Sequence, residues 1–447
     1  MTGVHVGADL GTSGLKLVAL HDDGAVVAEA EAAYVHDRPA PDRAEIDVAV
    51  WRRALDAALA ELAPALRGAP VRALGLSGQM HGTVLVDGAG APVRPAVLWP
   101  DARATGELAA WRALPAADRA ALANPLVPGM TGPVLAWLAH HEPETLARAA
   151  AVLLPKDALR LALVPGSPPV TDRSDASGTL LWDVPADGWS AAATAAAGVP
   201  PGLLPAVRPG TEVVGTARLP GGDVPVVVGA ADTPLALLAA GTASGLQVNL
   251  GTGAQLLRPG WPPQPVEAPV VHGYADADGG WYAMAALRNG GSAWAWVCDV
   301  LGLSWPELFA AAASVPGAGG VVFRPFLTGE RGGVAGPDDR AGWVGLHPGT
   351  TRAHLARAAV EGVVRAIGAA AALLGLPDDD APVVVTGGGA RTALVQQLLA
   401  DELRRPVRVL HLRSASAVGA AVLAARGAGA DVVPARVCGP VVEPSLP

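Results

Sequence analysis

Cysteine is nearly absent from this sequence. Only Cys298 and Cys438 occur among 447 residues, which is too few for a disulfide framework or a zinc site of the usual composition. Two cysteines fit a reducing compartment, and the opening residues lack the charged and then apolar leader that directs secretion or import. We therefore expect a cytoplasmic protein.

Basic clusters and long apolar runs are absent as well. The net charge is −9 and no extended run of Lys or Arg occurs, so neither nucleic acid nor an anionic membrane surface is expected as a partner. The most apolar stretch, residues 224–243, is interrupted by Asp232, Thr233 and two prolines, whereas a membrane-spanning helix needs about 20 predominantly apolar residues. A phosphate-bearing ligand would have to be bound by individual loops.

Two common nucleotide-binding signatures are also missing. Gly387-Gly388-Gly389 follows an apolar segment, but the Gly-Lys-Ser/Thr of a P-loop does not come after it. No spaced Gly-x-Gly-x-x-Gly follows the first predicted strand, as it would in a dinucleotide-binding fold. The sequence thus argues against both architectures.

The length and the pattern of elements predict two α/β domains. A single hydrophobic core seldom grows beyond about 250–300 residues, so 447 residues indicate two domains, which we place at residues 1–236 and 237–447. Long Ala-rich helical segments such as 351–374 alternate with apolar strands such as 383–386. This alternation is typical of the α/β class.

The two halves of the chain begin in a similar way. Residues 4–30 predict three antiparallel strands joined by glycine turns, and a helix that begins at Asp47 leads into a further strand at 71–76. The tripeptide Leu-Gly-Thr ends a strand at residues 10–12 and again at 250–252. We interpret this as an internal repeat, with one copy of a strand-turn-strand unit early in each half.

The turn after the first strand is a candidate phosphate site. Gly11-Thr12-Ser13-Gly14 comes shortly after Asp9 and offers backbone N–H groups and two hydroxyls to phosphate oxygens, which glycine allows to approach closely. Asp9 would face the same space and orient a magnesium-bound water. Such turns also occur without a ligand, but the preceding acid and the second turn, Gly251-Thr252-Gly253, favour the phosphate site.

Asp232 is a candidate general base. It follows the apolar segment 226–231, and a carboxylate at the end of a buried strand is held rigidly beside a cleft. The alternative is a helix N-cap, because Pro234 suits the first turn of a following helix. The position of Asp232 between the two glycine turns, where the domains should meet, favours the base.

Three further segments could contact ligands. Gly387-Gly388-Gly389 lies between a strand and a helix, where bare backbone would admit an adenine ring, although it could equally be a simple connection. Residues 79–82, Gln-Met-His-Gly, follow a strand and would stand over a cleft, although an isolated histidine is more often structural. Trp99, Asp101 and Arg103 alternate and would share one face of an extended segment, either as sugar ligands or as a surface ion pair.

Taken in order along the chain, these motifs resemble those of the carbohydrate kinase family that includes xylulose, glycerol and gluconate kinases. Within that family, residues 79–82, Leu154-Pro155-Lys156-Asp157 and 174–179 resemble xylulose kinases. The resemblance runs through most of the chain. It implies an α/β fold of two ribonuclease-H-like domains, of the actin and hexokinase type, with a ligand cleft between them.

The resemblance also implies the reaction, which is ATP-dependent phosphorylation of a small ketose at a terminal hydroxyl, D-xylulose to D-xylulose 5-phosphate. Asp232 would be the catalytic base, and Asp9 would hold Mg²⁺ through water. The residues expected to bind ATP and its metal are Asp9, Gly11, Thr12, Ser13, Lys16, Gly251, Thr252, Gly253, Gly387, Gly388 and Gly389. The residues expected to bind the sugar are Gln79, Met80, His81, Asp101 and Thr233. The expected partners are the sugar and ATP, with a homodimer left open.

Two positions depart from the family pattern. Thr233 follows the expected base where xylulose kinases usually carry Asn, and Pro100 stands before Asp101 where Asn is usual. Both lie in the expected sugar pocket, so a kinase for ribulose, glycerol or gluconate stays open, as does a non-catalytic sugar or nucleotide sensor on the same scaffold. The presence of Asp9 together with Asp232 argues against the sensor.

Overall fold

The first half of the chain builds a mixed sheet around its opening strand. The computed structural model describes residues 3–66, 68–219, 222–331, 333–376, 379 and 381–445. The strands of this half are β1 (Val4–Leu10), β2 (Gly14–His21), β3 (Val26–Ala33), β4 (Glu45–Ile46), β5 (Val71–Gly78), β6 (Val84–Val86), β7 (Ala96–Val97), β8 (Ala151–Leu153), β9 (Val170–Asp172), β10 (Trp182–Asp183), β11 (Gly188–Trp189), β12 (Ala206–Arg208), β13 (Val213–Leu219), β14 (Gly222–Val227) and β15 (Ala230–Ala231). Its helices are α1 (Val48–Leu62), α2 (Leu108–Arg112), α3 (Ala116–Ala121), α4 (Thr131–His141), α5 (Pro143–Ala147), α6 (Pro155–Leu163), α7 (Arg173–Ser177), α8 (Ala191–Ala196) and α9 (Asp232–Ala240).

The main sheet of this half has the order β13-β14-β5-β1-β2-β3, with β15 pairing β5. β1 runs antiparallel to β2 and parallel to β5, so that Leu10 lies beside both Leu15 and Gly78. Asp47 caps α1, because its carboxylate accepts the Ala49 N–H at 2.8 Å. The predicted order of three antiparallel strands, a helix and a further strand is confirmed, and the structure adds that this strand, β5, runs parallel to β1.

The second half repeats this arrangement. Its strands are β16 (Gln247–Leu250), β17 (Ala254–Pro259), β18 (His272–Ala275), β19 (Trp281–Leu287), β20 (Val322–Arg324), β21 (Gly342–Val344), β22 (Val383–Thr386), β23 (Val407–His411) and β24 (Val437–Val442). Its helices are α10 (Gly291–Leu301), α11 (Trp305–Ala313), α12 (Arg352–Leu374), α13 (Ala393–Leu403) and α14 (Ala415–Gly427). The sheet order is β18-β19-β17-β16-β22-β23-β24. β16 is antiparallel to β17 and parallel to β22, just as β1 is to β2 and β5.

Helix α14 joins the two halves, because it packs on the first sheet although it follows the strands of the second. A Cβ on Gly7 of β1 would lie 1.9 Å from the Ala417 carbonyl oxygen, and one on Gly75 of β5 would lie 2.1 Å from that of Ala420. These glycines let the helix backbone come close to the sheet. α14 also approaches α9, since a Cβ on Gly419 would lie 2.1 Å from the Leu235 carbonyl oxygen. α9 is thereby held against α14, which itself lies on the first sheet.

No helix within the described parts of the chain combines the length and the apolar character that spanning a membrane requires.

The close packing of α14 predicts that Gly75→Ala destabilises the protein. The new methyl group would meet the Ala420 carbonyl oxygen at 2.1 Å and the Ala424 Cβ at 3.3 Å, and overpacking of this kind costs about 1–3 kcal/mol of unfolding free energy. Thermal unfolding followed by calorimetry should therefore show a lower Tm. Gly88→Ala is the control, because a Cβ at the exposed Gly88 meets no atom within 4 Å. Equal Tm values for the two variants would contradict the packing argument.

Candidate active site

Three cavities meet between the two sheets. The inner cavity, of about 230 Å³, is lined by residues that include Gly11, Thr12, Gln79, Met80, His81, Asp232, Thr233 and Tyr274. The turn cavity, of about 520 Å³, contains Gly251, Thr252, Gly253, Arg288 and Arg331 in its lining. The outer cavity, of about 290 Å³, is lined by residues that include Asp232, Asn249, Thr386, Gly387 and Ser416. Gln255 lines all three, so they form one continuous cleft.

Asp232 lies where the inner and outer cavities meet. It is the first residue of α9, and the N-cap position is taken by Ala231 rather than by Asp232. The Asp232 Oδ1 accepts the Thr233 N–H at 2.7 Å and the Thr233 hydroxyl at 3.2 Å. Neither bond uses Oδ2, which leaves that oxygen available to a ligand in the cleft.

The cleft changes the protonation of its two carboxylates. Burial, followed by the negative charge of Asp9, raises the pKa of Asp232 to about 7, although the hydrogen bonds from Thr233 lower it. Burial likewise raises the pKa of Asp9. Two groups lower it by less, namely the Ser77 hydroxyl, which donates to Asp9 at 3.0 Å, and the positive charge of Lys16. A carboxylate that titrates near neutral pH suits a general base.

The first glycine turn is tied to residues of the inner cavity. The Gly11 N–H donates to the Gly14 carbonyl at 3.0 Å and closes the turn. The Thr12 hydroxyl donates to Gln79 Oε1 at 3.3 Å and accepts from Trp99 Nε1 at 2.9 Å. Gln79 Nε2 in turn donates to the Gly11 carbonyl at 3.0 Å. The turn and the Gln79 side chain therefore hold each other in place.

The second glycine turn lines the turn cavity and is one residue shorter than the first, since Leu250 pairs with Ala254 whereas Leu10 pairs with Leu15. It is closed by the Gly251 N–H, which donates to the Gly253 carbonyl at 3.0 Å. A Cβ on Gly253 would lie 2.3 Å from the Leu287 carbonyl oxygen, so that a larger residue would not fit. Arg288 and Arg331 add positive charge to the same cavity, which suits an anionic ligand.

The three consecutive glycines at residues 387–389 have different surroundings. Gly387 has φ 94° and a Cβ there would lie 2.4 Å from the Leu250 carbonyl oxygen, so this position requires glycine. A Cβ on Gly388 would point into open space, and Gly389 packs against Leu250 and Trp294. Within the described residues, Gly387 alone of the three lines the outer cavity. A short 3₁₀ turn, Gly388–Arg391, separates it from α13.

His81 presents a neutral acceptor to the inner cavity. Its Nδ1 lies 2.6 Å from the Gly178 carbonyl oxygen, which can only accept, so Nδ1 carries the proton and Nε2 has the free lone pair. Burial lowers the pKa of His81 to about 4, although the bond to Gly178 raises it and Arg331 lowers it further. His81 is therefore neutral at pH 7, and its Nε2 can accept a hydrogen bond from a ligand hydroxyl.

The family to which the chain belongs follows from its sequence. The FGGY family of carbohydrate kinases, N-terminal domain, matches residues 4–239, and the C-terminal domain of the same family matches residues 246–428. The chain belongs to the FGGY family of carbohydrate kinases.

Individual relatives of this FGGY kinase cover nearly the whole chain. It is 34% identical over 440 residues to "Xylulose kinase" of Escherichia coli (strain K12), with 95% of this chain and 89% of the relative covered. It is 35% identical to "Xylulose kinase" of Streptomyces coelicolor, covering 98% and 92%. The solved structure of xylulose kinase from Rhodospirillum rubrum superposes with a TM-score of 0.90 at 28% identity, covering 99% and 94%. The expected two-domain α/β fold is confirmed.

The cleft brings together most, but not all, of the residues that the sequence predicted for this FGGY kinase. The members that line a cavity are Gly11, Thr12, Gln79, Met80, His81, Asp232, Thr233, Gly251, Thr252, Gly253 and Gly387. The members found in none of the three linings are Asp9, Ser13, Lys16, Asp101, Gly388 and Gly389. Asp9 nevertheless acts on the cleft, since its charge raises the pKa of Asp232.

Asp101 is the predicted sugar residue that the structure places elsewhere. Its N–H donates to the Leu98 carbonyl at 3.0 Å, which closes a turn, so the assumption of an extended segment was wrong. Its carboxylate is buried, accepting the Ala44 N–H at 2.7 Å and two Arg103 nitrogens at 2.8 Å. Trp99 lines the inner cavity in its place. Asp101 therefore supports the loop that carries Trp99 and does not reach the cavity.

His272 and Tyr274, from the second half, were not predicted but line the inner cavity. His272 Nδ1 lies 3.1 Å from Asn124 Oδ1 and 2.7 Å from the Tyr274 hydroxyl. The Asn124 amide nitrogen donates to three carbonyls, so its Oδ1 is oriented to accept and His272 Nδ1 must donate. The Tyr274 hydroxyl then keeps its own proton for a ligand. The only local signal was two polar residues at alternate positions of one strand.

The pKa of Asp232 predicts how activity depends on pH. If the ionised carboxylate accepts a proton from the sugar, kcat/KM for the sugar should fall as pH decreases below about 7, by about tenfold per pH unit well below the pKa. The physical reason is that burial and Asp9 favour the protonated form. Initial rates between pH 5 and 9, at saturating ATP, would measure this profile. A profile that stays flat down to pH 5, as the ordinary aspartate pKa of 3.8 would give, would contradict the assignment.

Proposed function

We propose that this FGGY kinase transfers the γ-phosphoryl group of ATP to a terminal hydroxyl of D-xylulose and forms D-xylulose 5-phosphate. The observation that carries the proposal is Asp232, a carboxylate with a pKa of about 7 at the junction of the inner and outer cavities. Support for the sugar comes from relatives named as xylulose kinases, which align over nearly the whole chain.

The inner cavity is assigned to the sugar. It offers a neutral acceptor at His81 Nε2, a donor at the Tyr274 hydroxyl, and the amide of Gln79. A ketose with several hydroxyls both donates and accepts hydrogen bonds, so mixed partners of this kind fix its orientation. The terminal hydroxyl would then point to Asp232, which takes its proton as the oxygen attacks the phosphorus.

The turn cavity is assigned to the phosphates of ATP. The backbone at Gly251-Thr252-Gly253 and the side chains of Arg288 and Arg331 surround it, and such groups stabilise the charge that develops on a transferred phosphoryl group. The glycine turn at Gly11 and Thr12 would contact the same group from the opposite sheet. Ser13 and Lys16 line none of the three cavities; they are assigned there because Ser13 lies in this turn and the charge of Lys16 acts on Asp9.

Mg²⁺ fits the donor set of the cleft. Asp9 is an acidic oxygen donor close enough to Asp232 for its charge to raise the pKa of that carboxyl, and Mg²⁺ favours one or two carboxylates together with phosphate oxygens and retained waters. Asp9 would hold the ion through water. When bound, Mg²⁺ neutralises charge on the phosphates.

The outer cavity is assigned to the nucleoside end of ATP. Gly387 exposes bare backbone there beside Thr386 and Ser416, which suits a flat ring. Gly388 and Gly389 would shape this segment: Gly389 packs against Leu250 and lets the chain turn into α13. The proposed domains remain residues 1–236 for the sugar and 237–447 for the nucleotide.

A second candidate is phosphorylation of another sugar or polyol, such as ribulose, glycerol or gluconate. The observation that favours it is Thr233, which lines the inner cavity and donates twice to the Asp232 carboxylate. A change at this position acts directly on the base and on the sugar beside it.

The cytoplasmic location and the homodimer are likewise proposals, which cell fractionation and light scattering would test.

A substrate screen tests the proposal. ADP release would be measured by a coupled assay with ATP and Mg²⁺ over a set of ketoses, polyols and aldonates. We expect kcat/KM for D-xylulose to exceed that for every other acceptor by about tenfold or more, since each misplaced hydroxyl leaves a buried polar group unpaired. A higher value for ribulose, glycerol or gluconate would select the second candidate. ADP release that no acceptor stimulates would favour the sensor.

The Asp232→Asn variant tests the base. The amide keeps the shape and the Oδ1 acceptor for Thr233 but cannot take a proton, so kcat should fall by about 10²–10⁴-fold with little change in KM for ATP. Asp299→Asn, on the exposed face of α10, is a control with the same loss of charge. More than about a third of wild-type kcat in Asp232→Asn would assign the residue a structural role.

Replacing His81 with Ala should weaken sugar binding selectively. The variant removes the Nε2 acceptor from the inner cavity, while the ATP phosphates are assigned to the turn cavity. KM for the sugar should therefore rise by about tenfold or more, as expected for loss of a buried hydrogen bond, with KM for ATP within about twofold. Steady-state kinetics with each substrate varied in turn would measure this. Equal increases in both constants would remove His81 from the sugar site.

A further inference from the structure

Two motifs of the chain have no part in the reaction as proposed, namely Leu154-Pro155-Lys156-Asp157 and residues 174–179. The structure places them together around Lys156, whose Nζ lies 2.7 Å from Asp157, 2.9 Å from Asp172 and 3.0 Å from Asp175. All four side chains are buried. Burial lowers the pKa of Lys156, but the three carboxylates together raise it by more. The ammonium therefore stays charged and holds the carboxylates in place.

Asp172, held by Lys156, in turn orients Ser174. Asp172 caps α7, and its Oδ2 accepts both the Ser174 N–H at 2.7 Å and the Ser174 hydroxyl. A serine hydroxyl has one proton, which is used on Asp172, so its lone pairs face the other way. One of them accepts the Ala231 N–H at 2.9 Å. The orientation of the Ser174 hydroxyl is thus determined by a carboxylate that Lys156 fixes.

Ala231 is the residue directly before Asp232. It occupies the N-cap position of α9, and its methyl group cannot cap the helix because it accepts no hydrogen bond. Its own N–H is held by Ser174, which lies 57 positions earlier in the chain and is fully buried. The peptide before Asp232 is therefore held by a hydrogen bond from outside α9. Because this bond fixes the backbone at Ala231, it also fixes the direction in which the Asp232 side chain points.

The same short segment contacts the other sides of the inner cavity. The Ser177 hydroxyl accepts the Ala275 N–H at 3.0 Å, next to Tyr274 on β18. The Gly178 carbonyl accepts the proton of His81 Nδ1 at 2.6 Å. Residues 174–178 thus touch the backbone beside Asp232, the strand of Tyr274 and the ring of His81. These three groups come from distant parts of the sequence.

We propose that Ser174 is a positioning residue for Asp232, acting through the Ala231 N–H and oriented by the Lys156–Asp172 pair. Ser174 lines none of the three described cavities, so it acts without touching sugar or ATP. This inference rests on the proposed role of Asp232 as the base. In-line transfer is sensitive to small displacements, and a shift of about 1 Å can cost about 10²-fold in rate.

The test compares Ser174→Ala with Ser190→Ala. Ser190 is also a buried serine whose hydroxyl accepts a backbone N–H at a helix start, that of Ala193 at 3.2 Å, but it caps α8, which has no residue in the cleft linings. Both variants should lower Tm. Ser174→Ala should in addition lower kcat by about tenfold or more, with KM for ATP within about twofold. Ser190→Ala should keep kcat within about twofold of wild type.

The pH profile supplies a readout that a purely structural role would not move. Freed from Ser174, the start of α9 would expose Asp232 further to water, so the acid limb of kcat/KM should move to lower pH. Ser174→Cys, whose thiol is slightly larger than the hydroxyl and accepts hydrogen bonds only weakly, should show the same change. It supplies the measurement if Ser174→Ala does not fold.

The outcomes separate this inference from the proposed function. If both Ser174 variants keep kcat and the acid limb of wild type while Asp232→Asn is inactive, the positioning role is wrong and the base stands. If Asp232→Asn is itself active, the proposed base fails, and the inference fails with it. Equal losses of kcat in Ser174→Ala and Ser190→Ala would show that only general stability is involved.

Discussion

The architecture depends on one helix that crosses from the second half of the chain to the first. α14 follows the strands of the second sheet yet packs on β1 and β5 of the first, and Gly7 and Gly75 permit the contact because any side chain there would overlap helix carbonyls. This packing, together with the approach of α9 to α14, holds the two sheets with their glycine turns on either side of one cleft. The cavities exist because the sheets meet in this way.

Within the cleft, the Asp232 carboxylate is buried beside a second negative charge, that of Asp9, which is unfavourable for folding and useful for chemistry. Asp9 and Asp232 are close enough that the charge of Asp9 and burial together raise the pKa of Asp232 to about 7. The buried group around Lys156 differs, since one ammonium lies 2.7–3.0 Å from three carboxylates and burial raises the pKa of Asp175 well above its ordinary value. Ser174 connects this cluster to the residue that precedes Asp232.

Much of the site could be predicted from the sequence. The glycine turns, the strand before Asp232 and the Gln79–His81 segment follow local rules, in which apolar alternation marks a strand and glycine marks a turn at its end. The prediction for Asp101 was wrong because a turn at Pro100 breaks the extended geometry on which it depended. His272 and Tyr274 were missed because their function arises only when β18 is placed against Asn124 and α7.

The sequence by itself determined the elements, their order, the repeated strand-turn-strand unit and the acidic residues at strand ends, because these depend on neighbours within a few positions. Only the tertiary structure decided which of those residues share a cavity, how far Asp232 is buried beside Asp9, and which ring nitrogen of His81 carries the proton. Each of these depends on contacts between residues far apart in the chain, such as His81 with Gly178 or Ala231 with Ser174. Burial and long-range hydrogen bonds are properties of packing, and no local pattern encodes them.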